Sequence, residues 1–141
     1  MRFVKMNGCG NDYVYFDLTV REAAARGGEV IAAVPAISDR HFGVGGDGVV
    51  LILPSGVADV RMRMFNADGS EGKMCGNAIR CIGKFLYEIK GMKKDVLTVE
   101  TLSGIKTLVL TVEDGAVVSV RVDMGAAELR PAHIPANFPG E

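Results

Sequence analysis

Ala78, Ile79, Ile82, Phe85, Leu86 and Ile89 recur at three- and four-residue steps, the apolar stripe of a helix packed on one face. Arg80, Lys84 and Glu88 fall on the opposite face. Gly91, directly after Lys90, supplies a C-terminal cap, so the spacing predicts a helix from about Gly76 to about Lys90. Cys75 then stands at its amino end. Unpaired backbone N–H groups and the positive end of the helix dipole favour an anion there, either a thiolate or a bound carboxylate.

A one-sided helix needs a partner, and the rest of the chain offers strands. Phe3 to Met6, Asp12 to Asp17, Val49 to Leu53, Val96 to Thr101, Ile105 to Val112 and Ala116 to Asp123 are short and rich in β-branched or aromatic residues. From Asp59 to Phe65 the alternation is clear, with Val60, Met62 and Met64 pointing one way and Arg61, Arg63 and Phe65 the other. Ser103-Gly104 and Glu113-Asp114-Gly115 are turn signals between antiparallel neighbours. The expected fold is α/β of the α+β kind: a mainly antiparallel, curved sheet wrapped around one central helix. Leu18 to Gly28 reads as an exposed connection with some helical character. A further helix is expected with Pro35 in its first turn and Asp39, Arg40 and His41 near its end, closed by Gly43. Residues 1–124 make the expected domain. Residues 125–141, with Pro131, Pro135 and Pro139, read as an extended tail or interdomain linker.

At 141 residues the chain suits a single domain with a sizeable core. A net charge of −1 argues against nucleic acid or an acidic membrane surface as partner. No run of 18 apolar residues exists, and Met1 to Lys5 leads into a strand instead of a signal-peptide core, so a cytoplasmic protein is expected. Three cysteines fit reduced thiols better than a disulfide framework.

Gly43-Val44-Gly45-Gly46-Asp47-Gly48 formally matches the dinucleotide fingerprint, but it follows a helix and precedes a strand, the reverse of what pyrophosphate binding needs. It reads as a tight turn. His41 suits a helix-end cap better than a general base. Asp68, Ser70 and Glu71 lack the repeated spacing of a metal site, and turn and capping duties explain them better; no metal is expected.

The segment Asn66-Ala67-Asp68-Gly69-Ser70-Glu71, three residues, then Cys75-Gly76-Asn77-Ala78-Ile79-Arg80-Cys81 resembles the first active-site segment of the diaminopimelate epimerase family. Lys5-Met6-Asn7-Gly8-Cys9-Gly10-Asn11-Asp12 resembles its opening motif, with Asn7 where many members carry His and Cys9 where they carry an aliphatic residue. The resemblance implies a cofactor-independent amino-acid epimerase with Cys75 catalytic, and with Asn11, Asn66 and the backbone N–H groups of Gly76 and Asn77 on the substrate. It also implies one half of a two-lobed fold. The second lobe, carrying a second catalytic cysteine, is then the missing partner, and a homodimer of the complete enzyme is left open.

Inverting an α-carbon without a cofactor means removing a very weakly acidic proton. Two bases serve: one takes the proton on one face, and the conjugate acid of the other returns a proton on the opposite face. Thiols suit this because their reference pKa of about 8.5 lies close to neutral. Helix-start N–H groups hold the carboxylate as carbanion charge spreads into it. Cys81 lies six residues along from Cys75, about 600° of rotation and roughly 9 Å, so it points away into the core. Cys9 reads as a packing residue. Two alternatives stand beside the epimerase: a related proline, hydroxyproline or other amino-acid racemase, and a half-domain that binds or scaffolds without turnover.

Overall fold

The computed structural model describes residues 1–130 together with 133 and 134; Pro131, Pro135 and Pro139 lie outside the described residues. The chain runs β1 (Val4–Gly8), β2 (Asn11–Asp17), α1 (Val20–Ala32), α2 (Val34–Ser38), β3 (Gly48–Leu53), β4 (Val60–Asn66), β5 (Glu71–Gly72), α3 (Gly76–Glu88), β6 (Val96–Thr101), β7 (Gly104–Glu113) and β8 (Ala116–Val122). The strands form one sheet in the order β1-β2-β3-β4-β6-β7-β8, with β5 paired to β4. Two of its pairings, β2 with β3 and β4 with β6, are parallel and the others antiparallel.

α3 touches β1 and β2 at one end of this order and β7 and β8 at the other. A single helix can meet both ends only if the sheet curls around it, so the sheet is a half-barrel on a helical axle. The expected stripe makes the contact. Ile79, Ile82 and Leu86 have no exposed surface and pack with Tyr15, Val50, Met62, Leu97 and Leu108. Each contributes about 1.5–3 kcal/mol by leaving water. Ile89 departs from the stripe: the helix ends at Glu88, and Ile89 is exposed. Gly91 takes φ +72 and the Met92 N–H returns to the Leu86 carbonyl, which closes the last turn. On the opposite face Lys84 and Glu88 pair at 2.8 Å, and both bond the Val117 backbone, fastening α3 to β8.

Sheet turns follow from local chemistry. Cys9 and Gly10 both carry positive φ between the paired Gly8 and Asn11, and Asp114 and Gly115 do the same between Glu113 and Ala116. Two left-handed residues in a two-residue loop match the twist of the strands they join.

Two expectations for residues 18–43 need correcting. Leu18 to Gly28 is largely a helix, not a connection: Thr19 caps α1, its hydroxyl accepting from the Glu22 N–H while the Glu22 carboxylate accepts from the Thr19 N–H at 2.8 Å. The next helix is shorter than expected. α2 stops at Ser38, and Asp39 instead folds a turn by accepting from the His41 and Phe42 N–H groups, each at 2.7 Å. His41 is therefore exposed and outside any helix. These helices cover the outer face of the sheet, where Val14, Phe16, Val49, Leu51 and Phe65 join Val30 and Val34 in a second core.

Among the described residues no helix is long and apolar enough to cross a membrane. Residues 123–130 follow β8 without helix or strand.

Cys81 belongs to the core beneath α3, where burial pushes its thiol up from the ordinary value and keeps it protonated. Cys81→Ala is expected to lower unfolding free energy by about 1 kcal/mol through a small cavity. Urea unfolding of the chain checks the expectation.

Candidate active site

Cys75 is the N-cap residue of α3, extended at φ −131° and ψ 118°, and its carbonyl accepts from Ile79 at 3.0 Å. Its side chain makes no capping hydrogen bond, so the sulfur is not committed to the helix. The residue is half-buried. Tyr13 on β2 points its hydroxyl at the sulfur, with 3.8 Å between Oη and Sγ. Burial, reinforced by the neighbouring thiol, pushes the Tyr13 phenol above its ordinary range. Tyr13 therefore stays protonated, with its hydroxyl able to donate to the sulfur.

The sheet register gathers the other residues at the same end. Tyr13, Gly48 and Asn66 share one row across β2, β3 and β4. Asn11 closes the β1–β2 hairpin beside them, and its Oδ1 accepts from Asn77 Nδ2 at 2.6 Å. Gly8 makes this approach feasible. A Cβ there would sit 2.8 Å from the Asn77 carbonyl and 3.1 Å from Cys81 Sγ. Gly76 and Asn77 occupy the first turn of α3, where backbone N–H groups have no partner within the helix. Asn66 stands on the exposed rim, its amide donating to Ser70 Oγ at 2.9 Å. Cys75, Asn11, Gly76 and Asn77 are thus one cluster, with Asn66 at its edge.

Asp68 accepts from both the backbone and the hydroxyl of Ser70, while Glu71 forms a bidentate pair with Arg63 at 2.7 and 2.8 Å. Each lies below the ordinary carboxylate range, for Ser70's hydrogen bonds at Asp68 and Arg63's at Glu71. Their oxygens are occupied with turn and pairing duties.

Sequence reasoning missed Tyr13, Asp47, Arg40 and the true place of Arg80. Asp47 Oδ2 accepts from Asn11 Nδ2 and from the Asp12 N–H, both at 3.1 Å. Arg40 bridges Asp12 at 2.7 and 3.1 Å to Asp47 at 2.9 Å, and Lys5 adds a pair to Asp12 at 3.1 Å. Arg80, expected on a solvent face, donates to Asn77 Oδ1 and to Cys9 Sγ. One signal was available: an aspartate inside a glycine turn needs a donor nearby, and the arginine seven residues back can supply one.

Arg40 and Lys5 hold Asp12 well below the ordinary carboxylate range against burial, which pulls the other way. A depressed folded pKa stabilises above the unfolded value near about 4 and is lost as pH falls through the folded one. Asp12→Asn should therefore flatten the acid limb of stability below about pH 4, read as a smaller drop in urea midpoint between neutral and acid pH than in the parent.

The family model described as diaminopimelate epimerase matches residues 3–130. A diaminopimelate epimerase of Methanococcus maripaludis is 56% identical over 135 residues, covering 96% of this chain and 47% of that relative. One from Desulfovibrio desulfuricans is 57% identical over 135 residues, covering 96% and 46%. The chain thus spans about half the length of the curated relatives it matches. Among solved structures, a hydroxyproline epimerase from Agrobacterium vitis superposes with a TM-score of 0.64 at 19% identity, over 85% of this chain and 40% of that one. Methylitaconate-delta-isomerase superposes with a TM-score of 0.63 at 20% identity, over 82% and 35%. These two likenesses concern the fold.

Proposed function

We propose that this chain, which belongs to the diaminopimelate epimerase family, supplies one of the two acid–base thiols that interconvert LL- and meso-diaminopimelate in lysine and peptidoglycan precursor synthesis in the cytoplasm. The observation that carries the reading is the uncommitted, half-buried sulfur of Cys75 at the start of α3, beside Tyr13 and the Asn11–Asn77 pair.

In this reading the Cys75 thiolate exchanges a proton with the substrate α-carbon from one face, and a thiol of the second lobe serves the other face. Charge released by the α-proton spreads into the substrate carboxylate. The Gly76 and Asn77 N–H groups, aligned by α3, stabilise it there without rearranging, which lowers the barrier more than equivalent donors in water could. Asn11 and Asn66 hold the substrate in place, and no cofactor takes part. Residues 1–124 form the N-terminal domain and 125–141 lead to the second lobe. Without that lobe the 141-residue chain is inactive or nearly so.

The test is deuterium incorporation from heavy water into LL-diaminopimelate, proline and histidine by the complete protein. The proposal expects label in diaminopimelate alone. Label in proline instead would assign a related racemase, and label in none would favour a binding half-domain.

A further inference from the structure

Arg80 and Asp47 end a chain of hydrogen bonds that runs from Arg80 to Asn77, from Asn77 to Asn11, and from Asn11 to Asp47. A guanidinium only donates and a carboxylate only accepts, so the ends fix every link between them. Asn77 must turn Oδ1 to Arg80, which leaves its Nδ2 to donate to Asn11 Oδ1 at 2.6 Å. Asn11 is then left with Nδ2 for Asp47 Oδ2 at 3.1 Å. Flipping either amide would set donor against donor or acceptor against acceptor and leave part-buried polar groups unpaired. The carboxylate end is itself anchored, since Asp47 also accepts from Arg40 and from the Asp12 N–H.

The consequence concerns what a ligand meets. Each asparagine oxygen is already engaged, while each amide nitrogen keeps a second N–H with no partner among the described residues. Two free amide donors complement a carboxylate, whereas each amide oxygen has already given one of its two lone pairs to a neighbour and serves an ammonium group less well. We propose that Arg80 and Asp47 are positioning residues that lock Asn11 and Asn77 with their donors outward, so that this half of the site selects a substrate by its carboxylate. The inference rests on the reading above, in which both asparagines meet the substrate.

Arg80→Met, Arg80→Lys and Asp47→Asn in the complete enzyme test it, with diaminopimelate as the probe. Methionine removes the donor and keeps the stem; lysine keeps a donor-only end; asparagine at position 47 lets the amides point either way. Arg80→Met and Asp47→Asn should raise KM about tenfold or more with kcat within about threefold, and Arg80→Lys should recover most of the loss. Side-chain amide NMR signals of Asn11 and Asn77 should shift in the first two variants and return in the third. An unchanged KM in Asp47→Asn and Arg80→Met overturns the inference, as does a loss confined to kcat. If Arg80→Met does not fold, Asp47→Asn and Arg80→Lys decide alone by the same KM criterion. Failure of the wider reading is separate, because it appears as normal inversion by a Cys75→Ala enzyme.

Discussion

Cys75→Ala in the complete enzyme is expected to lower kcat for inversion by about 10²–10⁴-fold, the range that a positioned acid–base group supplies. Inversion needs a proton taken on one face and returned on the other, so losing one thiol interrupts both directions of the reaction. KM should move little, since in the proposed reading the carboxylate is held by backbone N–H groups and side-chain amides that the change leaves in place. Stability should move little as well. The side chain is half-buried and makes no capping bond to α3, so its removal orphans no helix donor. Cys75→Ser is the finer probe: it retains a partner for the Tyr13 hydroxyl, yet its own hydroxyl is too weak an acid to exchange protons near neutral pH. Its kcat should stay close to the alanine variant's. Comparing both with Cys81→Ala separates the thiol at the helix mouth from the one packed beneath the helix.

Gly48→Ala is expected to destabilise the chain by about 3 kcal/mol or more, the upper part of the range for forced overpacking. A Cβ at this position would lie 1.9 Å from the Phe65 carbonyl oxygen and 3.2 Å from the Asn66 Cα. Both are backbone of the neighbouring strand, so no side chain can rotate aside. β3 and β4 must separate at the row that also holds Tyr13 and Asn66. The damage therefore reaches the site: KM should rise even where folded protein persists. Gly28→Ala supplies the opposite sign. Gly28 lies within α1, and a Cβ added there would meet nothing within 4 Å, so alanine should add about 0.5–1 kcal/mol by restricting the unfolded chain. Urea midpoints of both variants against the parent check the pair.

The stripe behind Cys75 was legible because one helix meets the sheet along a single face, and that contact imposes a 3.6-residue period on the sequence. β4 was legible for the analogous reason, as its methionines and arginines alternate between the core and a half-exposed face. The outer core was not. Val49 to Ile52 is apolar throughout because that strand is covered on both sides, and a continuous run does not say what covers it. The covering helix α1 showed only some helical character, since Gly27 and Gly28 weaken its pattern and the Thr19–Glu22 capping box went unread.

The site divides in the same way. Cys75, Gly76 and Asn77 could be placed because a helix start is a local property. Tyr13, Asp47 and Arg80 could not, because the contacts that give them meaning join β2, the turn before β3 and α3, which only the curled sheet brings together. Gly48 illustrates the difference most sharply. As one of several glycines in the motif it read as part of a tight turn, whereas its place in β3 is set by the close passage of the Phe65 carbonyl.

The proton itself gives the most direct test. The complete enzyme and its Cys75→Ala variant are incubated with LL-diaminopimelate in heavy water, and deuterium at the α-carbon of the inverted product is followed by mass spectrometry. A proton-exchanging sulfur at position 75 requires labelled meso product from the parent, and from the variant the same product formed about 10²–10⁴-fold more slowly. Labelled, inverted product formed by the variant at the parental rate would contradict it.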